Sequence, residues 1–140
     1  MLKNLDSVQM MRDDMATKAD VNELNFGMYL RRIREAKKIS VRQLAKAVKI
    51  TPTYLSDIEK GNNKPPNCVL LKAIIKELQI ENNDKLISTL FDLAAKERND
   101  IPADIKEYIM NNQELLKIIR TVKNSPNEHQ LWSKVSEFIV

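Results

Sequence analysis

The chain has 140 residues, of which 43% are hydrophobic and 30% are charged, a mixture typical of globular proteins. It has only two glycines, which argues against β-hairpins, and its single cysteine excludes an internal disulfide and a cysteine-based zinc site. The scarcity of glycine favours an all-α protein. No window approaches the apolar run of about 20 residues that spans a bilayer, and the polar N-terminus is not a signal peptide. We therefore expect the protein to act in the reducing cytoplasm.

Positive charge is concentrated in one part of the chain. The net charge of +4 divides into −2 over residues 1–24, +7 over residues 25–66 and −1 over residues 67–140. A concentrated basic stretch is the electrostatic footprint expected of a surface that faces a polyanion. A solvated lysine-rich face would give the same totals, so charge alone leaves both interpretations open.

Residues 1–24 are predicted to form a polar arm that is separate from the domain after it. Leu5, Val8, Met11 and Met15 recur at spacings of three or four residues. This weak helical stripe fits either a short coiled-coil arm or a frayed leader.

Two short helices are predicted in tandem after Ser40. Ser40 can cap the first helix, and Thr51 followed by Pro52 is a strong start signal for the second, because a hydroxyl accepts from a free N–H and proline already has a helical φ. The second helix is predicted to end at Gly61. Two short helices with three or four residues between them are what a helix-turn-helix motif requires.

The packing of these two helices is also predicted. Ala45 supplies only a methyl group where the helices cross, and Ile50 fills the corner between them from inside. In the second helix Leu55 and Ile58 point inwards, which leaves its polar side chains on the outer face.

Further helices are predicted on both sides of the pair. One has an apolar face that begins at Phe26, another begins after Asn67, and another runs from about Asp84 to Arg98. Three more amphipathic stretches follow Ile101-Pro102, so residues 81–140 are expected to form a helical extension.

The residues around the tandem pair resemble the XRE family of lambda-repressor-like DNA-binding domains. The resemblance lies in Phe26-Gly27, Leu30 to Arg34, Ser40 to Ala45 and Ile50 to Gly61. It covers about residues 25–80 and implies a five-helix DNA-binding domain, followed here by the extension.

The resemblance also implies which residues contact DNA. The third helix of the family is the recognition helix, which enters the major groove. The residues nearest the bases would be Thr53, Tyr54, Ser56 and Asp57, and those along the phosphates Ser40, Arg42, Lys60, Asn62, Asn63 and Lys64. Thr51 joins this set, since the start of a helix attracts phosphate. Asp57 is the weakest member, because an acid near DNA must accept from a cytosine amine or turn aside.

The family also implies a scaffold ion pair, in which Glu59 would pair with Arg34.

This chain departs from the family pattern at three positions. Lys38 and Lys49 stand where glycine commonly takes the turn, and a left-handed non-glycine residue costs roughly 1 kcal/mol, so we expect these turns to be built differently. Val41 replaces a common glutamine, so any phosphate contact of that glutamine is absent.

Residues 101–140 are the predicted dimerisation region. Family members usually bind paired half-sites as dimers, with recognition helices roughly 34 Å apart. The proposed interface consists of Ile119, Leu131, Trp132, Val135, Phe138 and Ile139. A monomeric helical cap is the alternative for this segment, and residues 1–24 are a second candidate interface.

The sequence offers no candidate for catalysis, metal binding or a cofactor. His129 is the lone histidine, so no histidine pair can hold a metal, and we interpret it as a helix-surface or interface residue. Cys68 has no base beside it in sequence and is interpreted as structural. A glycine-rich phosphate loop is excluded by the glycine count.

The expected function is a dimeric transcriptional regulator, a repressor rather than an activator, that binds double-stranded DNA at a palindromic operator in a bacterium or a mobile genetic element. The alternatives are the antitoxin of a toxin–antitoxin pair and a protein-interaction module that does not bind DNA. The C-terminal extension resembles regulators of integrative elements and prophages. By that analogy alone, an antirepressor, a metallopeptidase or a toxin is a candidate partner.

Overall fold

The computed structural model describes residues 24–139, and this part of the chain is helical without strands. Its eight helices are α1 (Phe26–Ala36), α2 (Val41–Ala47), α3 (Pro52–Lys60), α4 (Cys68–Glu77), α5 (Asp84–Arg98), α6 (Ala103–Met110), α7 (Gln113–Lys123) and α8 (Glu128–Phe138). The all-α prediction and the expected helical extension are confirmed. The predicted arm lies outside the described residues except for Leu24, which is buried.

Most of the helices begin at a polar side chain that caps the first turn. Ser40 forms a full capping box with Gln43, in which each side chain accepts from the other residue's backbone N–H, at 3.1 and 2.8 Å. The side chains of Thr51 and Asn67 accept from Tyr54 and Leu70 in the same way. The predicted caps therefore set the starts of α2, α3 and α4.

Residues 24–103 form one compact unit around a continuous apolar core. α1 packs against α3 and α5, and α2 packs against α3 and α4. The fully buried side chains include Leu30, Ile33, Leu44, Leu55, Ile74, Leu78 and Leu90. Apart from Leu78, which directly follows α4, each comes from the apolar face of its helix, so the 3.6-residue pattern accounts for most of the core.

Gly27 lets α1 approach the end of α3. A Cβ atom at Gly27 would lie 2.4 Å from the carbonyl oxygen of Ile58 and 2.5 Å from that of Glu59. Both oxygens belong to backbone, so they cannot move aside as a flexible side chain would. The packing of α1 on α3 therefore requires glycine at this position.

The turns at Lys38 and Lys49 correct a prediction made from sequence. Both lysines take the left-handed conformation, with φ of 58° and 61°, so the expectation that these turns are built without it is wrong. In each turn the next residue donates back across it, from Ile39 to the carbonyl of Arg34 and from Ile50 to that of Ala45. These hydrogen bonds form a Schellman motif and offset the cost of placing a side chain there.

Residues 104–139 form a second compact unit. Within it α7 and α8 pack together, and Leu115, Leu116, Ile119, Val122 and Leu131 are half-buried. In the described part of this unit no side chain of α6, α7 or α8 is fully buried. None of the eight described helices has the length and apolar character needed to traverse a bilayer.

Candidate nucleic-acid interface

α2 and α3 form the two arms of the predicted helix-turn-helix. α2 ends at Ala47 and the cap of α3 is Thr51, so the connection is short. Ala45 is fully buried, and Ile50 is half-buried against the core. The two residues therefore lie as predicted for the crossing and the corner.

The outer face of α3 is polar. Leu55 and Ile58 are buried, whereas Thr53 and Lys60 are exposed and Ser56 and Asp57 are half-buried. Because one face of the helix packs in the core, the opposite face is accessible to a ligand. This division leaves α3 with a polar outer face, which a recognition helix needs.

The start of α3 keeps one backbone donor unused. Pro52 has no N–H, and the N–H groups of Tyr54 and Leu55 donate to the hydroxyl and the carbonyl of Thr51, both at 3.1 Å. Among the described residues the N–H of Thr53 has no partner. This exposed donor at the positive end of the helix dipole suits an anion or a base acceptor.

A buried ion pair fixes α3 relative to α1. Arg34 donates to both carboxylate oxygens of Glu59, at 2.8 and 2.7 Å, and to the carbonyl of Ile39 at 2.8 Å. Hydrogen bonding to Glu59 raises the pKa of Arg34, so the guanidinium stays charged although it is nearly excluded from water. Because Ile39 directly precedes the Ser40 cap, the pair also sets where α2 begins. The pair implied by the family resemblance is therefore present.

The loop after α3 is held by the end of that helix. Gly61 takes φ of 79°, and the backbone carbonyl of Asp57 accepts from the N–H groups of Asn62 and Asn63, at 2.8 and 3.2 Å. The side chains of Asn62, Asn63 and Lys64 stay exposed. The loop therefore presents polar and basic groups next to the outer face of α3.

The structure brings the residues predicted to contact DNA together on the first unit. Ser40 and Arg42 lie at the start of α2, Thr51 and Thr53 at the start of α3, and the others along α3 and its loop. None of them is fully buried. Their contacts with DNA stay predictions.

One residue of this surface differs from its sequence-based interpretation, and another was not predicted. Tyr54 packs its ring against the core, so it is partly a scaffold residue and offers only an edge to a ligand. Lys46, which the sequence analysis did not select, is exposed one helical turn after Arg42. The spacing of four residues on one helix was the available signal for it.

The residues predicted for dimerisation all lie in the second unit. Ile119 and Leu131 are half-buried there, whereas Trp132, Val135, Phe138 and Ile139 are exposed. They are therefore available for contact with another molecule, and their role in a dimer stays a prediction.

The comparison with known proteins agrees with this geometry. Residues 30–81, which include α2, α3 and α4, match the family model of helix-turn-helix domains. The uncharacterized HTH-type transcriptional regulator RghRB of Bacillus subtilis (strain 168) is 27% identical over 118 residues, which cover 80% of this chain and 81% of the relative. No solved structure matches the chain. Residues 30–81 therefore form a helix-turn-helix domain of the XRE type, and the similarity to a transcriptional regulator over four fifths of the chain supports a DNA-binding regulator rather than an enzyme.

Proposed function

We propose that this regulator is a repressor that binds a palindromic operator as a homodimer, with α3 of each copy in the major groove of one half-site. One observation carries the proposal. The start of α3 is exposed, the N–H of Thr53 has no partner among the described residues, and the C-terminal part of the helix is held by the buried pair of Arg34 and Glu59. A rigid helix whose N-terminal side chains face outwards can enter a major groove and contact base edges.

The proposed surface divides into base-reading and phosphate-binding residues. Thr53, Ser56 and Asp57 face the bases, and Tyr54 contributes the polar edge of its ring. The phosphate-binding residues border α3 on both sides: Ser40, Arg42, Thr51, Lys60, Asn62, Asn63 and Lys64. The net charge of +7 over residues 25–66 supports this assignment, since phosphate contacts supply most of the sequence-independent affinity.

A homodimer follows from what one α3 can reach. A helix of nine residues touches few base pairs, and two copies with recognition helices about 34 Å apart read both halves of a palindrome. We place the interface in residues 101–140 and keep residues 1–24 as the second candidate. The protein would act in the cytoplasm, at a promoter of a bacterium or a mobile element.

An antitoxin is the second candidate function. The exposed apolar side chains of the second unit favour it, because an antitoxin needs a surface for its toxin as well as one for its promoter. An antirepressor or a metallopeptidase would be expected at the same surface. A stoichiometric complex with a toxic protein would identify the antitoxin.

The test of the proposed function compares variants on the site that the full chain selects from random duplexes. Arg42→Ala removes a phosphate contact, so it should weaken binding to every sequence and reduce the slope of log K against log salt by about 0.9. Thr53→Ala should change which sequence is preferred, because it should remove about 1–3 kcal/mol of discrimination against the wrong base at the affected base pair. Lys96→Ala, an exposed lysine on α5, is the control and should bind as the parent does.

Two outcomes would overturn the docking arrangement. If Arg42→Ala and Thr53→Ala bind every probe like the parent, α2 and α3 do not contact DNA as proposed. If the parent binds DNA weakly and without a salt dependence, the result would favour a protein-interaction module that does not bind DNA.

A further inference from the structure

α8 carries an apolar stripe that its own unit leaves largely uncovered. Leu131, Val135 and Phe138 recur at spacings of four and three residues, and Trp132 lies three residues before Val135, so all four lie on one face of the helix. Leu131 is half-buried, but Trp132, Val135 and Phe138 remain 39%, 45% and 89% exposed. The stripe continues to Ile139, which is also exposed.

α7 carries an apolar face that is wider than one neighbouring helix can cover. From Ile118 round to Leu116 its apolar side chains span about 160° of the helix circumference. α7 and α8 pack together, and Leu116 and Ile119 are half-buried, whereas Ile118 remains exposed at one edge of the apolar face. The helix pair formed by α7 and α8 therefore has apolar surface left for a second contact.

The second unit is small, and its helices are short. Its helices have 8, 11 and 11 residues, and isolated helices shorter than about 12–15 residues are marginal in water. Units below about 40 residues usually need a disulfide, a metal or an oligomeric partner. No side chain of the three helices is fully buried in the described part of the unit, so the uncovered stripe needs an occupant.

The charges of α7 and α8 favour a second copy as that occupant. α7 has a net charge of +2 from Glu114, Lys117, Arg120 and Lys123, and α8 has a net charge of −1 from Glu128, Lys134 and Glu137. Opposite charges favour contact between α7 of one copy and α8 of the other, and like charges oppose contact of α7 with α7. Residues 104–140 carry five basic and five acidic residues, which gives no preference for a polyanion.

We propose that α7 and α8 of two copies form a four-helix bundle, in which each α8 lies between its own α7 and that of the partner. The inference rests on the homodimer of the proposed function and specifies which helices make it. Trp132, Val135 and Phe138 of both copies then form the bundle core, related by a twofold axis. Ordering of the second unit is coupled to association, because the core exists only in the dimer.

Trp132 allows the proposal to be tested on the full chain, because it is the sole tryptophan. Its emission maximum is recorded across a dilution series, together with the mass from sedimentation. We expect the emission to move to shorter wavelength over the same concentration range in which the mass doubles. That coincidence requires Trp132 to become buried on association.

Phe138→Asp tests the bundle core directly. Phe138 is 89% exposed within its own chain, so the substitution removes little intrachain packing, but it places two carboxylates in the bundle. We expect the dissociation constant of the dimer to rise by at least about 100-fold. Val69→Asp is the matched control, because Val69 is 79% exposed on α4 of the first unit, and it should leave the dimer unchanged.

The outcomes separate the bundle from the dimer itself. A parent and a Phe138→Asp variant that dimerise equally, with no change in tryptophan emission, would overturn the bundle and leave the homodimer with another interface. A parent that stays monomeric at all concentrations and occupies its selected DNA site as one copy would overturn both. Salt-dependent binding of random duplexes by Phe138→Asp shows that the first unit remains folded in the variant.

Discussion

The carboxylate of Glu59 lies 2.7 Å from the guanidinium of Arg34, with both side chains nearly excluded from water. The pair joins α1 to the C-terminal part of the recognition helix, and the third hydrogen bond of Arg34 reaches the carbonyl just before α2. One side chain therefore fixes three helices of the DNA-binding unit. A second ion pair, Arg31 with Glu35, has a single N–O contact of 2.8 Å and lies on the exposed face of α1.

Breaking the buried pair should destabilise the first unit strongly. Glu59→Gln leaves the Arg34 guanidinium without its charge partner in the interior, so we expect the free energy of unfolding in urea to fall by about 3–5 kcal/mol. Glu35→Gln breaks the exposed pair and should cost less than about 1 kcal/mol. Equal losses for the two variants would show that Arg34 and Glu59 do not hold α1 on α3.

Gly27 and Gly61 should respond to alanine for different reasons. Gly27→Ala places a Cβ against two backbone oxygens, so α1 must move away from α3 and we expect a loss of about 1–3 kcal/mol. Gly61→Ala meets no atom within 4 Å but keeps a left-handed φ, which costs about 1 kcal/mol. Thermal unfolding measures both losses. Binding to the selected DNA site should weaken for Gly27→Ala beyond its loss of stability, since α3 is displaced.

Replacement of Gln79 with glycine should stabilise the protein. Gln79 has a φ of 56°, like the two lysines of the earlier turns, but it lies after α4 and carries no charge. Gln79→Gly removes left-handed strain of about 1 kcal/mol, partly offset by the entropy that glycine adds to the unfolded chain. We expect a higher urea midpoint for Gln79→Gly and no increase for Gln79→Ala. A lower midpoint for the glycine variant would show that the turn is unstrained.

Tyr29 should make the first unit sensitive to alkaline pH. Burial raises the pKa of its phenol above the usual value, and the hydrogen bond with Thr89 only partly opposes this. Because the folded-state pKa lies above the unfolded value of about 10, the contribution of Tyr29 to the free energy of unfolding is fully present below pH 10 and is lost as the pH rises further. Tyr29→Phe should reduce this loss in urea unfolding between about pH 9 and 11. An unchanged pH dependence in the variant would assign it to other groups.

The sequence was sufficient to predict the local features of the DNA-binding unit. Thr51 and Pro52 determine where α3 begins, Gly61 determines where it ends, and the alternation of Leu55 and Ile58 with polar residues determines which face is buried. These signals are local, so they can be recognised without knowledge of the fold. The positions of the proposed base-reading side chains follow from them.

Other features depend on contacts that a local pattern does not contain. The first N–H of α1, at Phe26, donates to the carboxylate of Glu97 on α5, 71 residues away, at 3.0 Å. The left-handed lysines persist because backbone hydrogen bonds across the turns compensate for them. The apolar stripes of α7 and α8 were visible in the sequence, but a stripe does not identify the molecule that covers it.

The most direct test of the account is selection of duplexes from a random-sequence pool by the full chain, followed by the mass of the selected complex. We predict a palindromic site whose half-sites are centred about one helical turn of DNA, or 34 Å, apart, with two copies of the chain bound. A protein that enriches no sequence, or that binds its selected site as a single copy, would contradict the account of a dimeric operator-binding repressor.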